Sequence, residues 1–129
     1  MRINTKATNI LLTADISDYL EKKLRSLGKL IDLEDGTVMI DAELALTSRH
    51  HQQGDIFRAE VTIHRGKESF RGVSEREDLY TAIDEMQAEL SRELSARKGK
   101  RLLLLRRGGA RIKAILQGWK VWGRRRKDL

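Results

Sequence analysis

Cysteine is absent from the 129-residue sequence, and aromatic residues make up only 5% of it. The absence of cysteine excludes disulfide bonds, thiolate nucleophiles and zinc sites with cysteine ligands. Because aromatic residues are scarce, the hydrophobic core must be mostly aliphatic. No apolar run approaches the ~20 residues that span a bilayer, and the opening MRINTK lacks the apolar stretch of a signal peptide. We therefore expect a soluble, cytoplasmic protein.

Positive charge is concentrated at one end of the sequence. The formal net charge is +7, yet residues 1–98 contain 15 lysines and arginines against 18 acidic residues. Residues 99–129 contain 11 lysines and arginines and a single acidic residue. An asymmetry of this kind indicates a polyanionic partner, either nucleic acid or an acidic membrane surface, rather than an extension that only adds solubility.

The N-terminal part of the sequence predicts a strand followed by an amphipathic helix. Residues 2–7 alternate partly between apolar and polar side chains, which is typical of a strand. Thr13 is a suitable helix N-cap, and Asp15 follows in the first turn, where an acidic residue is favourable. One apolar stripe then recurs every three or four positions, formed by Ile16, Leu20, Leu24, Leu27 and Ile31.

The middle of the sequence changes to a two-residue period. Apolar residues alternate with polar ones over residues 38–46 and again over residues 57–64. A polar loop at residues 48–55 separates these two strands, and a tight turn at residues 65–67 leads into a short strand at residues 70–73. Three consecutive strands joined in this way are expected to form an antiparallel meander.

A second amphipathic helix begins near Asp78, and its periodicity fades at residues 98–100. Its apolar stripe is formed by Leu79, Ile83, Met86, Leu90 and Leu94. The order β-α-β-β-β-α predicts an α+β fold, a two-layer sandwich of a four-stranded sheet with both helices on one face. We place this domain at residues 1–101 and treat residues 102–129 as a basic extension.

The histidines do not form a convincing metal site. His50 and His51 are adjacent in a loop, with Asp55 nearby, but neighbouring side chains rarely converge on one ion. No third or fourth ligand is evident, so we expect no metal. His64 falls on the polar face of its strand and is interpreted as a surface residue.

Acidic residues on neighbouring strands could in principle act as paired catalytic carboxylates. Asp41, Glu43 and Glu60 would face one another, but Arg58 and Arg71 would lie among them. This mixture favours a solvated ladder of charges across the strands. No glycine-rich phosphate loop follows a strand. We therefore expect no catalytic residues, no cofactor and no small-molecule substrate.

Basic residues lie off the apolar stripes of both predicted helices. Exposed lysines often do no more than solvate a helix, but the strongly basic extension beside them favours binding to RNA phosphates. The candidates are Lys22, Lys23, Arg25 and Lys29 on the first helix, and Arg92, Arg97, Lys98, Lys100 and Arg101 at the end of the second.

Within the extension, Gly108 and Gly109 are interpreted as a hinge. The sequence predicts a helix from about residue 110, although so short a helix is marginal alone in water. Its candidate contacts to nucleic acid or another partner are Arg111, Lys113, Trp119, Lys120, Trp122, Arg124, Arg125, Arg126 and Lys127. The two tryptophans could stack on unpaired bases, lie at a membrane interface or pack back on the domain. These alternatives stay open.

Two segments carry a recognisable pattern. Residues 77–84 read EDLYTAID and continue through Leu90 and Leu94 to the KGK at residues 98–100. Near the start, Leu12 and Thr13 lead into the first helix and on to GKLID at residues 28–32. Together these segments resemble the hibernation-promoting factor and ribosome-associated inhibitor family, over about residues 1–101. EDLYTAID contains the most specific part of the match.

The resemblance implies a fold like that of double-stranded-RNA-binding domains. It also implies binding to the small ribosomal subunit and the whole ribosome, in the channel that holds mRNA and the tRNA anticodon arms, so that translation is blocked sterically. Carried over by position, the family's RNA-contacting residues correspond to the nine basic residues named for the two helices. Asp78, Tyr80 and Asp84 match the motif and are assigned to capping and packing.

Two features depart from the family pattern. Three glutamates crowd the second helix, so we expect RNA contact only at its basic end; they are Glu85, Glu89 and Glu93. Long members carry a C-terminal domain that dimerises, but residues 102–129 are too few and too basic to form it. We therefore expect the protein to be monomeric when it is off the ribosome.

Overall fold

The computed structural model describes residues 1–47 and 54–106. Its elements are β1 (Ile3–Thr8), α1 (Ala14–Arg25), a 3-10 helix (Ser26–Lys29), β2 (Val38–Leu46), β3 (Phe57–Arg65), β4 (Glu68–Arg76) and α2 (Leu79–Arg106). The predicted order of strands and helices is confirmed. Met1–Leu94 form one compact unit, and α2 continues into a second unit that begins at Ser95.

The four strands form one mixed sheet in the order β1-β2-β3-β4. The meander from β2 to β4 is antiparallel, as the sequence predicts. β1 lies at the edge and runs parallel to β2. The register aligns four apolar residues in one row across the sheet: Ile3, Ile40, Ile63 and Phe70.

A single hydrophobic core lies between one face of the sheet and the two helices. Alternate strand residues such as Ile40, Val61 and Phe70 share this core with the apolar stripes of α1 and α2, including Leu24 and Met86. Both helices therefore cover the same face. Among residues 1–47 and 54–106, Phe70 is the one aromatic side chain of the core that is fully buried, in keeping with an aliphatic core.

The start of α1 follows the prediction, whereas its end comes earlier than the apolar stripe suggests. The Thr13 hydroxyl accepts a hydrogen bond from the Ile16 N–H at 3.2 Å, which satisfies one of the unpaired donors of the first turn. The α-helix ends at Arg25, and Leu27 belongs to the 3-10 helix that contains Gly28. Leu27 and Ile31 are nevertheless buried, so the stripe continues through a tighter turn.

β4 is longer than the predicted strand at residues 70–73, because backbone pairing with β3 continues beyond the apolar residues to Arg76. α2 approaches this strand closely at Gly72, where an added Cβ would lie 2.5 Å from the Met86 carbonyl oxygen. Farther along, α2 continues to Arg106 without ending at residues 98–100, where the periodicity fades. The predicted boundary between residues 101 and 102 stays a prediction.

Candidate nucleic-acid interface

Four basic residues lie in the last turn of α1 and in the 3-10 helix that follows it. Lys22, Lys23 and Arg25 lie in its last turn, where positive charge interacts favourably with the helix dipole. Lys29 follows in the 3-10 helix. Lys22, Arg25 and Lys29 are exposed, whereas the side chain of Lys23 is only 30% exposed. The structure therefore places these four predicted residues at one end of α1.

The four basic side chains differ in whether they have an acidic partner. Arg25 forms an ion pair with Glu21, one turn earlier, at 3.0 Å. The ammonium of Lys23 lies 3.2 Å from the Asp84 carboxylate of α2. Lys22 and Lys29 have no ion pair among residues 1–47 and 54–106. Of the four basic residues, Lys22 and Lys29 are therefore the best placed to bind an external anion.

Tyr19, which the sequence prediction did not single out, connects the two helices. Its hydroxyl donates a hydrogen bond to Asp84 at 2.5 Å, and its ring meets the ring of Tyr80 edge to face, with centroids 4.9 Å apart. The pKa of Tyr19 is raised above its ordinary value of 10.0, mainly because of this hydrogen bond and secondly because the side chain is partly buried. The family motif assigned Tyr80 and Asp84 to packing, and both lie in this contact. The sequence signal for Tyr19 was only its place beside the apolar stripe.

The contacts between the helices also give their relative direction. Tyr19 and Lys23 meet Asp84, and three residues later the Ser26 hydroxyl accepts a hydrogen bond from the Gln87 amide at 2.8 Å. Moving toward the C-terminus on α1 thus moves toward the C-terminus on α2, so the helices run parallel. At the end of α1, Ser26 therefore lies beside Gln87, one turn beyond the contact of Lys23 with Asp84.

Arg92, the first candidate on α2, lies on the other side of this helix. It is exposed and lines a cleft of about 550 Å³ along the β4 edge, together with Arg76 and two glutamates, Glu85 and Glu89. None of the residues that line this cleft belongs to α1. The structure therefore does not bring Arg92 together with the basic residues of α1.

Two of the three glutamates that crowd α2 have partners on β4. Glu89 accepts a hydrogen bond from the Val73 N–H at 3.0 Å, which occupies a donor on the edge of the sheet. Glu85 accepts from the Ser74 hydroxyl at 3.3 Å and forms an ion pair with Arg76. These two glutamates thus cover the edge of β4.

The remaining candidates belong to the second unit or lie outside the described residues. Arg97 and Lys100 are exposed in the part of α2 after Ser95, and Lys98 is half-buried there. Arg101 lies within α2, and its side chain is outside the described residues, as are the predicted tail contacts between residues 111 and 127. The histidine pair at residues 50 and 51 is outside them too.

The sheet face opposite the helices carries the predicted ladder of charges. Glu60 pairs with Arg58 at 3.0 Å and with Arg71 at 2.6 Å, and Asp41 lies 3.1 Å from His64. This arrangement confirms the ladder for Asp41 and Glu60, because each of these two carboxylates has a neighbouring donor. Within residues 1–47 and 54–106, no group of three or more histidine, aspartate or glutamate side chains could hold a metal ion. In the same residues, no helix is long and apolar enough to cross a membrane.

The fold and its helical layer define a small α+β domain with a basic end on α1. The chain belongs to the Sigma 54 modulation protein / S30EA ribosomal protein family, whose model matches residues 3–102. This is a family of ribosome-associated modulation factors, and membership confirms the resemblance drawn from the EDLYTAID segment.

Solved structures agree with this assignment. The N-terminal domain of Protein Y from Thermus thermophilus is 30% identical, with a TM-score of 0.60 over 74% of this chain and 98% of that one. A ribosomal subunit interface protein from Coxiella burnetii has the same TM-score at 16% identity, over 77% of this chain and 99% of that one, which supports the fold. A comparison with curated protein sequences finds no match.

Proposed function

We propose that this protein is a ribosome hibernation factor of the cytoplasm that binds small-subunit rRNA in the mRNA and tRNA channel and blocks translation sterically. The observation that carries the proposal is a pair of exposed lysines in a member of a ribosome-associated family. They are Lys22 in the last turn of α1 and Lys29 in the 3-10 helix, and neither has an acidic partner among residues 1–47 and 54–106. Lysine binds phosphate as a point charge, so this binding does not depend on the base sequence of the RNA.

The mechanism requires affinity and bulk but no catalytic group. Lysines that neutralise rRNA phosphates release condensed counterions, so binding is strong at low salt and weakens as salt rises. A folded domain that occupies the channel excludes mRNA and tRNA because two molecules cannot fill the same space. The absence of enzymatic activity therefore remains our expectation for this protein.

Sedimentation with purified ribosomes tests this proposal. The full chain is mixed with small subunits and with whole ribosomes across a salt series, with tRNA as competitor. We expect co-sedimentation that falls steeply with salt and that tRNA displaces. Failure to pellet even at low salt would reject the proposal, and binding that tRNA does not displace would reject the channel as the site.

Reversal of charge on α1 tests the residues. We expect the double variant Lys22→Glu and Lys29→Glu to bind small subunits more weakly, with a plot of log K against log salt that is shallower by about 1.4 to 1.8. The control is Lys6→Glu, which reverses the charge of an exposed lysine on β1. Lys6 is paired in the sheet with Glu43 of β2, away from the basic end of α1. Equal weakening by the control would remove α1 from the interface.

A second candidate function rests on the composition of residues 99–129, with 11 lysines and arginines and one acidic residue. Such a segment, with Trp119 and Trp122, could bind an anionic membrane surface or RNA in general. Flotation with anionic liposomes that Trp119→Ala and Trp122→Ala abolish would favour the membrane. Equally tight binding to any structured RNA at physiological salt would favour general RNA binding.

A further inference from the structure

The Asp84 carboxylate of α2 is shared between two side chains of α1. Its Oδ1 accepts the hydrogen bond of the Tyr19 hydroxyl at 2.5 Å and lies 3.2 Å from the Lys23 Nζ. The Lys23 ammonium also lies 5.9 Å from the centroid of the Tyr19 ring. Lys23 is thus the one basic residue at this end of α1 whose acidic partner comes from the other helix.

The position of Lys23 among exposed lysines gives this ion pair a consequence for binding. Lys22 precedes it directly and Lys29 follows in the 3-10 helix, and neither has an acidic partner among the described residues. A phosphate backbone bound along this end of α1 would pass close to Lys23. In the free protein, however, the Lys23 ammonium already forms an ion pair with Asp84.

We propose that Asp84 competes with an rRNA phosphate for the Lys23 ammonium and thereby limits the affinity of the protein for the ribosome. The inference rests on the proposed function, because it assigns Asp84 as a positioning residue that acts on rRNA binding through Lys23. Asp84 holds Lys23 between the helices in the free protein, and the bound form exchanges that carboxylate for a phosphate oxygen.

The geometry permits this exchange at low cost. The side chains of Lys23 and Asp84 are 30% and 44% exposed, so water screens their attraction and the ion pair is weak. When Lys23 turns to a phosphate, Asp84 keeps the hydrogen bond from Tyr19 and is not left without a donor. An affinity held below its maximum also suits a factor that must leave the ribosome when translation resumes.

The test uses the full chain and small subunits, with Asp84→Asn as the main variant. Asparagine keeps a carbonyl oxygen that accepts from Tyr19 and removes the negative charge, so the fold is retained. We expect about two- to fivefold tighter binding and a salt dependence steeper by about 0.7 to 0.9. A residue with only a structural role would not steepen the salt dependence.

Two further variants separate this inference from a general charge effect. Glu77→Gln removes one exposed carboxylate before α2 and should change the affinity much less. In a Lys23→Met background, Asp84→Asn should do no more than Glu77→Gln, because its effect passes through Lys23. Thermal unfolding of each variant verifies that it is folded.

The possible failures can be told apart. Wild-type protein that does not co-sediment with ribosomes would overturn the proposed function and this inference with it. Wild-type protein that binds, together with an Asp84→Asn variant that binds no tighter, would overturn the inference alone. Equal tightening by Glu77→Gln, or full tightening without Lys23, would also overturn it.

Discussion

At the scale of single residues, the hydrogen bonds from the backbone and side chain of Thr37 to Asp35 make the free energy of unfolding depend on pH. Its Oδ1 accepts from the Thr37 N–H at 2.9 Å and from the Thr37 hydroxyl at 3.0 Å, just before β2 begins. These hydrogen bonds, the one from the backbone first, lower the pKa of Asp35 below its ordinary value of 3.8. Because the pKa is lower in the folded state, the carboxylate stabilises the fold above pH ~4.

We predict that Asp35→Asn separates this effect from the turn itself. The asparagine side-chain oxygen still accepts from Thr37 but does not titrate. The free energy of unfolding of the wild type should therefore exceed that of the variant most above pH ~4, and the difference should shrink as the pH falls through the folded-state pKa. Urea denaturation between pH 2.5 and 6 measures it, and a difference that stays constant over this range would contradict the prediction.

Whether a basic side chain is paired with an acidic residue could be predicted from the sequence only where the two residues are close in sequence. The four basic residues of α1 lie off the apolar stripe, which predicts that they face away from the core. The ion pair of Arg25 with Glu21 follows the i,i+4 spacing of a helix. Lys23 pairs instead with Asp84 on α2, a contact that exists only once both helices pack on the sheet. Periodicity carries no information about such a contact.

The packing of two elements, α2 and β4, depends on the absence of a side chain at Gly72. A Cβ there would meet the Met86 carbonyl oxygen at 2.5 Å and the Leu90 Cγ at 2.9 Å. The backbone of α2 would have to move away from the sheet. We predict that Gly72→Ala lowers the free energy of unfolding by about 1–3 kcal/mol, measured by urea denaturation.

The matched control for this substitution is Gly28→Ala in the 3-10 helix. An added Cβ at Gly28 meets nothing within 4 Å, so the free energy of unfolding should change little. If both alanine variants are equally stable, α2 and β4 do not need the close approach at Gly72.

At the scale of elements, the sequence pattern predicts what hydrophobic burial dictates. The stripes of α1 and α2 and the alternation in β2 and β3 each follow from one buried face, and all four elements are confirmed. β4 extends to Arg76 because backbone hydrogen bonds continue where its alternation stops. α2 likewise continues past Leu94, the last residue of its stripe, because a helix needs no core to satisfy its own backbone. The parallel pairing of β1 with β2 has no local signature either.

For the whole molecule, charge is separated along the chain rather than spread over its surface. Residues 1–94 contain 13 lysines and arginines against 18 acidic residues, so the first unit is net negative although its family is ribosome-associated. Such a unit can bind a polyanion only through a local concentration of positive charge, as at the end of α1. A second, strongly basic segment would then offset the repulsion between rRNA and the acidic remainder.

Residues 102–129 are therefore proposed as a second anchor whose covalent link to the domain raises its effective concentration at the ribosome. Truncation after Arg106 tests this while leaving the whole of α2 and the family-matched residues 3–102 in place. We expect binding to small subunits to weaken by about tenfold or more and its salt dependence to become shallower, because eight lysines and arginines are removed.

Trp119→Ala with Trp122→Ala in the full chain serves as the matched variant. Weakening without a change in salt dependence would assign the tryptophans to base stacking. A truncated protein that binds as tightly as the full chain at every salt concentration would reject the second anchor and leave α1 to carry the interaction.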